Sequence, residues 1–420
     1  MKSIGGVLLA VAVLLIMVTV HEFGHYLAGK ALGFKINEFS VGFGPALFKK
    51  RSKKSGETFA LRVIPLGGYC AFDGEDEYEE NEESGNVKDG DDEPFAELSQ
   101  KAPVAENDGG RYEVTEQSDE KDGVERPDKK GKNASVEYPE PKGERFNDQP
   151  PWKRIIVLIA GATMNYLFAL IVLFIMFGSY GCIHSYVAYR GEGAPAVLEN
   201  ELSAGDIVLS VDGEGIYLTS DYVDVLSGKK RGEKVQVDIR RKNADGVWEE
   251  KTLAITLKTD CNFKNMIDLK SAYTAFGLDE TQYIFANVTQ KEGFWKTVGS
   301  AFVYSGKIGG TVLRTLGELI TGKISLTAMG GPITTIGVTA QAASNGILSF
   351  LNIAAFIGVN LAVFNLLPIP ALDGCKVIFC IIEWIRKKPV NRKVETMIHF
   401  IGIIFLFAFA IFVDLLQLII

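Results

Sequence analysis

The residues best placed to do chemistry are His21-Glu22-Phe23-Gly24-His25, which lie inside a run of apolar residues. An i, i+4 spacing stacks two imidazoles on one helical face, where both can bind one Zn2+, and places Glu22 to take a proton from the metal's water. Only four histidines occur in 420 residues, and ionisable groups inside an apolar helix are costly enough to be read as functional. A catalytic zinc takes three protein ligands and keeps one position open. Asp373 is the expected third ligand, because it closes the stretch Asn365-Leu366-Leu367-Pro368-Ile369-Pro370-Ala371-Leu372-Asp373-Gly374, where two prolines and a carboxylate break an apolar helix. Cys375 is a softer alternative two residues on, while His184 and His399 read as interface or packing residues. Asn165, Asn360 and Asn365 are amides in apolar segments. They can hold a substrate backbone and steady negative charge developing on a carbonyl, or they can bond helix to helix; both readings stay open.

The elements that must carry these groups follow from hydrophobic pattern. Residues 4 to about 28, 155–179, about 347–367 and 397–420 each approach the roughly 20 apolar residues that cross a bilayer as a helix. The first is read as a span rather than a signal peptide, since it runs into the histidine pair with no small-residue cleavage site. Lysine and arginine near the helix ends set orientation. Lys30, Lys35, the cluster at 49–54, Lys153-Arg154, Arg386-Lys387-Lys388 and Arg392-Lys393 assign the first and third loops to the cytoplasm. The loop 180–346 and both termini then lie outside.

Net charge would mislead if taken whole. Residues 73–150 hold 26 Asp and Glu against 10 Lys and Arg, a local −16 within a chain of net −8, so the remainder carries +8. The acidity belongs to one segment, and no nucleic-acid partner is expected. Five cysteines without a CxxC spacing exclude a zinc ribbon or a disulfide-framed scaffold; a Cys182–Cys261 bridge is open on compartment alone.

The expected architecture is a polytopic α-helical membrane protein of about four transmembrane helices, with a membrane-associated β-hairpin and an inserted small β-rich domain. Its parts are a first helix to residue 30, a hairpin over 31–72 whose strands are 38–48 and 58–69, and an acidic insertion over 73–150 too poor in apolar residues to fold alone. A second helix (151–181) leads to the β-rich domain (182–262), whose glycine and aspartate turns separate alternating runs. There follow an amphipathic interfacial region (263–346), with Phe294, Val298, Phe302, Ile308 and Leu313 interleaved with cations, a third segment (347–376), a loop (377–396) and a last helix (397–420).

At these residues the chain resembles the site-2 protease family of intramembrane zinc metalloproteases, in its bacterial RseP-like branch with a PDZ domain. The resemblance rests on the histidine motif, Gly161-Ala162-Thr163-Met164-Asn165, Ala204-Gly205-Asp206-Ile207-Val208-Leu209-Ser210-Val211-Asp212-Gly213, Gly331-Pro332-Ile333 and the Asn365–Gly374 stretch, in that order. It implies that His21, His25 and Asp373 ligate zinc, that Glu22 is the general base, and that Asn165, Asn360 and Asn365 assist substrate or transition state. It also implies a hairpin that takes substrate as an added strand, which agrees with strand-addition physics. The implied activity is cleavage of single-span transmembrane substrates, anti-sigma factors or signal-peptide remnants, in regulated intramembrane proteolysis. The implied setting is a monomer in the bacterial cell membrane, with the PDZ domain extracytoplasmic and open to a peptide ligand, and the acidic insertion cytoplasmic. Two departures concern the motifs: Gly161-Ala162 stands where the family commonly has Gly-Pro, and Asp373-Gly374-Cys375 where it commonly has Asp-Gly-Gly. One PDZ unit is visible, and the insertion has no counterpart. The competing readings are a different membrane HExxH protease acting on soluble or lipidated substrates, and a non-proteolytic PDZ-bearing adaptor or chaperone.

Overall fold

The computed structural model describes residues 4–75 and 138–419, apart from 193, 194, 196 and 198. Four of its helices are long and apolar enough to cross a membrane: α1 (Ile4–Leu32), α2 (Pro151–Tyr180), α7 (Ile347–Asn365) and the greater part of α9 (Arg392–Ile419). At about 1.5 Å per residue each can cover most or all of a hydrocarbon core of about 30 Å. Helices in lipid gain little from hydrophobic contact with one another and pack where small residues let backbones meet. Gly24 of α1 is such a place, since a Cβ there would lie 2.8 Å from the Ala160 carbonyl carbon of α2. Val13, Met17, Ala354 and Ile357 join α1 to α7. By contrast α9 buries little; its one buried carboxylate, Asp414, accepts from the Ile333 and Thr334 amides at 3.0 and 3.2 Å and so caps α6 (Pro332–Ser344), the helix that Gly331-Pro332-Ile333 opens.

The expected hairpin is more folded than its sequence suggests. Strands β1 (Ile36–Arg51) and β2 (Thr58–Phe72) pair antiparallel, yet Phe39, Ser40 and Val41 each face two partners, Cys70, Tyr69 and Gly68 on one side and Phe59, Ala60 and Leu61 on the other. Two long strands thus double back into a small sheet. Repeated register shifts let them do so. Glu57, 2% exposed, ties the turn to α1 by accepting from the Tyr26 hydroxyl at 3.0 Å and from the Lys30 ammonium, and it also accepts from Ser55.

Composition predicts an acidic insertion running unbroken to residue 150, but its last residues belong to this core. Lys35 donates to the Glu144 carbonyl at 2.8 Å, Phe146 donates to the Asp73 carbonyl at 2.7 Å, and the Phe146 ring is buried against Phe34 and Phe72. One aromatic among many polar residues decides the matter, and average composition hides it. The disorder expected for 76–137 lies outside the described residues.

The β-rich domain also extends further than 182–262. Its sheet runs β7 (Trp248–Thr256), β6 (Lys234–Lys242), β4 (Ile207–Val211), β3 (Cys182–Tyr189), β8 (Tyr283–Gln290), with the short β5 (Glu214–Gly215) on β4. β8 pairs with β3 along its whole length, from Cys182 opposite Gln290 to Tyr189 opposite Tyr283. A strand that returns from so far along the chain leaves no local hairpin signal. Helices α3 (Thr219–Leu226) and α4 (Leu269–Phe276) close the core through Tyr222 and Phe276, which pack on Phe285 of β8. Cys261 lies in this core and Cys182 in the cluster at the end of α2, and both are free thiols. α5 (Phe294–Ile320) buries Ala301, Tyr304 and Ile308 while leaving Phe294, Trp295, Phe302, Leu313 and Ile320 exposed.

Replacing Glu57 with Ala should free the sheet's turn at a cost of about 1–2 kcal/mol, because Lys30 is open enough to be solvated once its partner is gone. Hydrogen exchange should then rise in β1 and β2 with α1 and α2 unchanged; unaltered protection in both strands would show that the clasp does not hold the sheet.

Candidate metal centre

His21 and His25 sit on the face of α1 that meets α2, and both are buried. Their Nε2 atoms are 3.1 Å apart, and Asp373 Oδ2 lies 3.0 Å from the first and 3.3 Å from the second. Among the described residues these three form the one group of His, Cys, Asp or Glu donors close enough to share an ion. Two ligands at zinc distance and tetrahedral angle stand about 3.3 Å apart, so the triangle has the right size. Space for it comes from α2. A Cβ at Gly161 would lie 2.6 Å from His25 Cε1 and 2.7 Å from His21 Cε1.

The outer nitrogens decide which atoms face inward. His25 Nδ1 is 2.8 Å from the Val157 carbonyl, which can only accept, so Nδ1 carries the proton and Nε2 offers its lone pair to the triangle. His21 Nδ1 meets two amides, Asn165 and Asn365, each at 3.4 Å through Nδ2. If His21 also presents a bare Nε2, its Nδ1–H needs an acceptor. Asn165 Oδ1 is buried with no partner among the described residues, and an amide oxygen and nitrogen exchange places on a half-turn. With the amide turned, Asn165 accepts from His21.

Asp373 is the first residue of α8 (Asp373–Arg386), where the positive helix end favours a carboxylate. The third span therefore stops at Asn365, and residues 366–372 form a connection that delivers Asp373 from a separate helix. Glu22 is the residue next to His21 on α1. The sheet lies over it, because a Cβ at Gly68 of β2 would be 3.4 Å from Glu22 Cγ.

Against this geometry, the sequence pattern of peptidase family M50 matches residues 9–409. The chain belongs to peptidase family M50. It is 29% identical to the regulator of sigma-W protease RasP of Bacillus subtilis (strain 168) over 419 residues, 93% of this chain and 92% of the relative. It is similarly 29% identical to the zinc metalloprotease RasP of Bacillus licheniformis over 426 residues, 93% of each, and 28% identical to that of Shouchella clausii over 412 residues, again 93% of each. This M50 peptidase is accordingly a zinc metalloprotease with several apolar helices of membrane-crossing length. A group of two imidazoles and one carboxylate is a donor set that suits zinc.

Of the remaining sequence-derived residues, Asn360 stands apart, since its Oδ1 is buried without a partner among the described residues and no hydrogen bond links it to the donors. Cys375 is buried on α8 outside the group. His184 faces Glu292 at 3.5 Å in the β domain, where burial holds its imidazole below the ordinary histidine range despite that carboxylate. His399 accepts from the Ala371 amide at 3.0 Å. The sequence shows Gly161 within a motif but not why glycine is needed there, and it carries no signal for the Val157 carbonyl or for Gly68.

Gly161→Ala should weaken zinc binding at least tenfold in chelator competition while helix content stays unchanged, because the added methyl meets the imidazoles rather than the bundle's exterior. Native zinc affinity in that variant would mean that the histidines have room to move.

Proposed function

We propose that this protein is an intramembrane protease in which His21, His25 and Asp373 hold zinc and Glu22 is the general base, cleaving single-span transmembrane substrates. The observation that carries the reading is the triangle of donors formed between an apolar helix long enough to span a bilayer and the broken end of another. When bound, zinc polarises the scissile carbonyl and lowers the pKa of water. Glu22 takes a proton from the attacking water as its oxygen bonds to the carbonyl carbon, then passes that proton to the nitrogen as the C–N bond breaks. Asn165 acts first through His21, accepting from its Nδ1–H and so fixing its tautomer, and Asn365 beside the same ring has its amide to offer a substrate backbone. Asn360 has an amide oxygen to offer substrate.

A peptide bond inside a helix is shielded by its own hydrogen bonds, so the substrate must unwind. The sheet beside Glu22 supplies strand edges for an extended segment. We take the β domain, with its β3–β8 pair and two helices, as a PDZ domain on the extracytoplasmic side that binds peptide and, with amphipathic α5, admits substrates already trimmed there. With the cationic loops read as cytoplasmic, the cleavage product enters the cytoplasm. The Bacillus subtilis relative's name connects it with regulation of sigma-W; a transmembrane anti-sigma factor is the corresponding substrate class for this chain, with signal-peptide remnants a second, and the working unit is a monomer in the bacterial cell membrane.

The test is cleavage of a single-span substrate by purified protein in liposomes. Glu22→Gln should lose cleavage by about 10²–10⁴-fold and keep its zinc, whereas Asp373→Ala should lose both. Equal processing of substrate by Glu22→Gln and native protein would leave a non-proteolytic adaptor. Zinc and activity retained in Asp373→Ala would place the third ligand elsewhere.

A further inference from the structure

Ala371 is a non-glycine residue in the left-handed region, with φ 81, and lies two positions before Asp373 in the connection that delivers it. A Cβ disfavours that conformation, so surrounding contacts must impose it. The connection's own backbone bonds, Ile369 to the Leu367 carbonyl and Leu372 to the Ile369 carbonyl, do not use the Ala371 N–H. That N–H donates to His399 Nδ1 on α9 at 3.0 Å. One turn further along α9, Gly402 lets Pro370 come close, since a Cβ there would lie 2.7 Å from the Pro370 carbonyl carbon and oxygen. The His399 ring also meets Phe379 of α8 edge to face, at 5.9 Å and 61°. Two contacts thus dock the last span, elsewhere largely exposed, on the connection that delivers Asp373, and a third reaches α8 itself.

We propose that His399 is a positioning residue for Asp373. As a neutral imidazole accepting through Nδ1, it holds Ala371 in its disfavoured conformation, and with it the first turn of α8, so that Oδ2 points at the two histidines. The inference rests on the reading of Asp373 as a zinc ligand. It makes the zinc site depend on α9, which supplies no ligand of its own.

The test compares His399→Leu with His399→Gln by competition of the full-length protein, in detergent, against a zinc chelator. Leu fills the space without an acceptor and should weaken zinc binding about 10–100-fold, the range seen when groups orienting a metal ligand are lost. Gln offers Oε1 to the Ala371 N–H and should stay within about threefold of native. Ala371→Gly added to His399→Leu should recover most of the loss, because glycine adopts φ 81 unaided; this double variant also decides the matter if His399→Leu alone folds poorly. Native zinc affinity in His399→Leu overturns the proposal, as does failure of Ala371→Gly to restore it. Asp373→Ala, measured alongside, separates the two readings. If it loses zinc while His399→Leu does not, only the positioning role fails; if it too keeps zinc, the ligand assignment fails first.

Discussion

Two imidazoles and a carboxylate are held within 3.3 Å of one another, the imidazoles buried on a helix apolar enough to cross a membrane and the carboxylate at the first residue of a shorter helix. Each polar atom must be satisfied by protein or by a shared cation. The inward atoms make a triangle of zinc size, and the outward nitrogens meet a backbone carbonyl and two amides. The same demand reaches the packing. Gly161 leaves the volume that the imidazoles fill, and the close approach at Gly24 brings that volume to them. A larger residue at Gly161 would press on the imidazoles themselves, and one at Gly24 would act on them through the helix pair.

The groups come from elements held in different ways. α1 contributes two donors and Glu22, packs along α2, and is clasped to the sheet by Glu57. The third donor arrives on a connection with two prolines and one left-handed alanine, ending at the start of a new helix. Breaking the helix is what makes this possible: an uninterrupted α7 would present a side chain sideways, whereas the first residue of α8 offers its carboxylate from a positive helix end. The broken end therefore aims the carboxylate as well as ending the apolar helix.

The strength of these local signals determined what was legible in the sequence. His21, Glu22 and His25 could be read because helical spacing alone places them, and Asp373 because a carboxylate beside two prolines in an apolar run is too costly to stand there without a cation or a donor to face. Four spans were visible from length and composition. Asn165 and Asn365 stood out as amides in apolar helices, but their convergence on one imidazole nitrogen depends on how three helices pack. Asn360 carried the same signal and does not join them. The doubled sheet and the return of β8 to β3 escaped because both are set by pairings between distant residues, which no window of sequence contains. His399 looked like packing because its partner is a backbone N–H made special only by the fold.

The acidic segment shows how an average can conceal structure at its edges. Counted whole, residues 73–150 are a polar run with a local charge of −16. At its two ends, however, single residues make definite contacts: Asp73 pairs with Lys35 at 3.1 Å, Glu75 with Lys376 of α8 at 2.7 Å, and Phe146 fills a core with Phe34 and Phe72. The chain leaves and re-enters the core at neighbouring backbone positions, since the Phe146 N–H donates to the Asp73 carbonyl. These anchors bear directly on α8, Glu75 through Lys376, three residues from Asp373, and Phe146 through the core it shares with Cys380. Composition could register the bulk of the segment, but the part that matters to the site is its few anchoring residues.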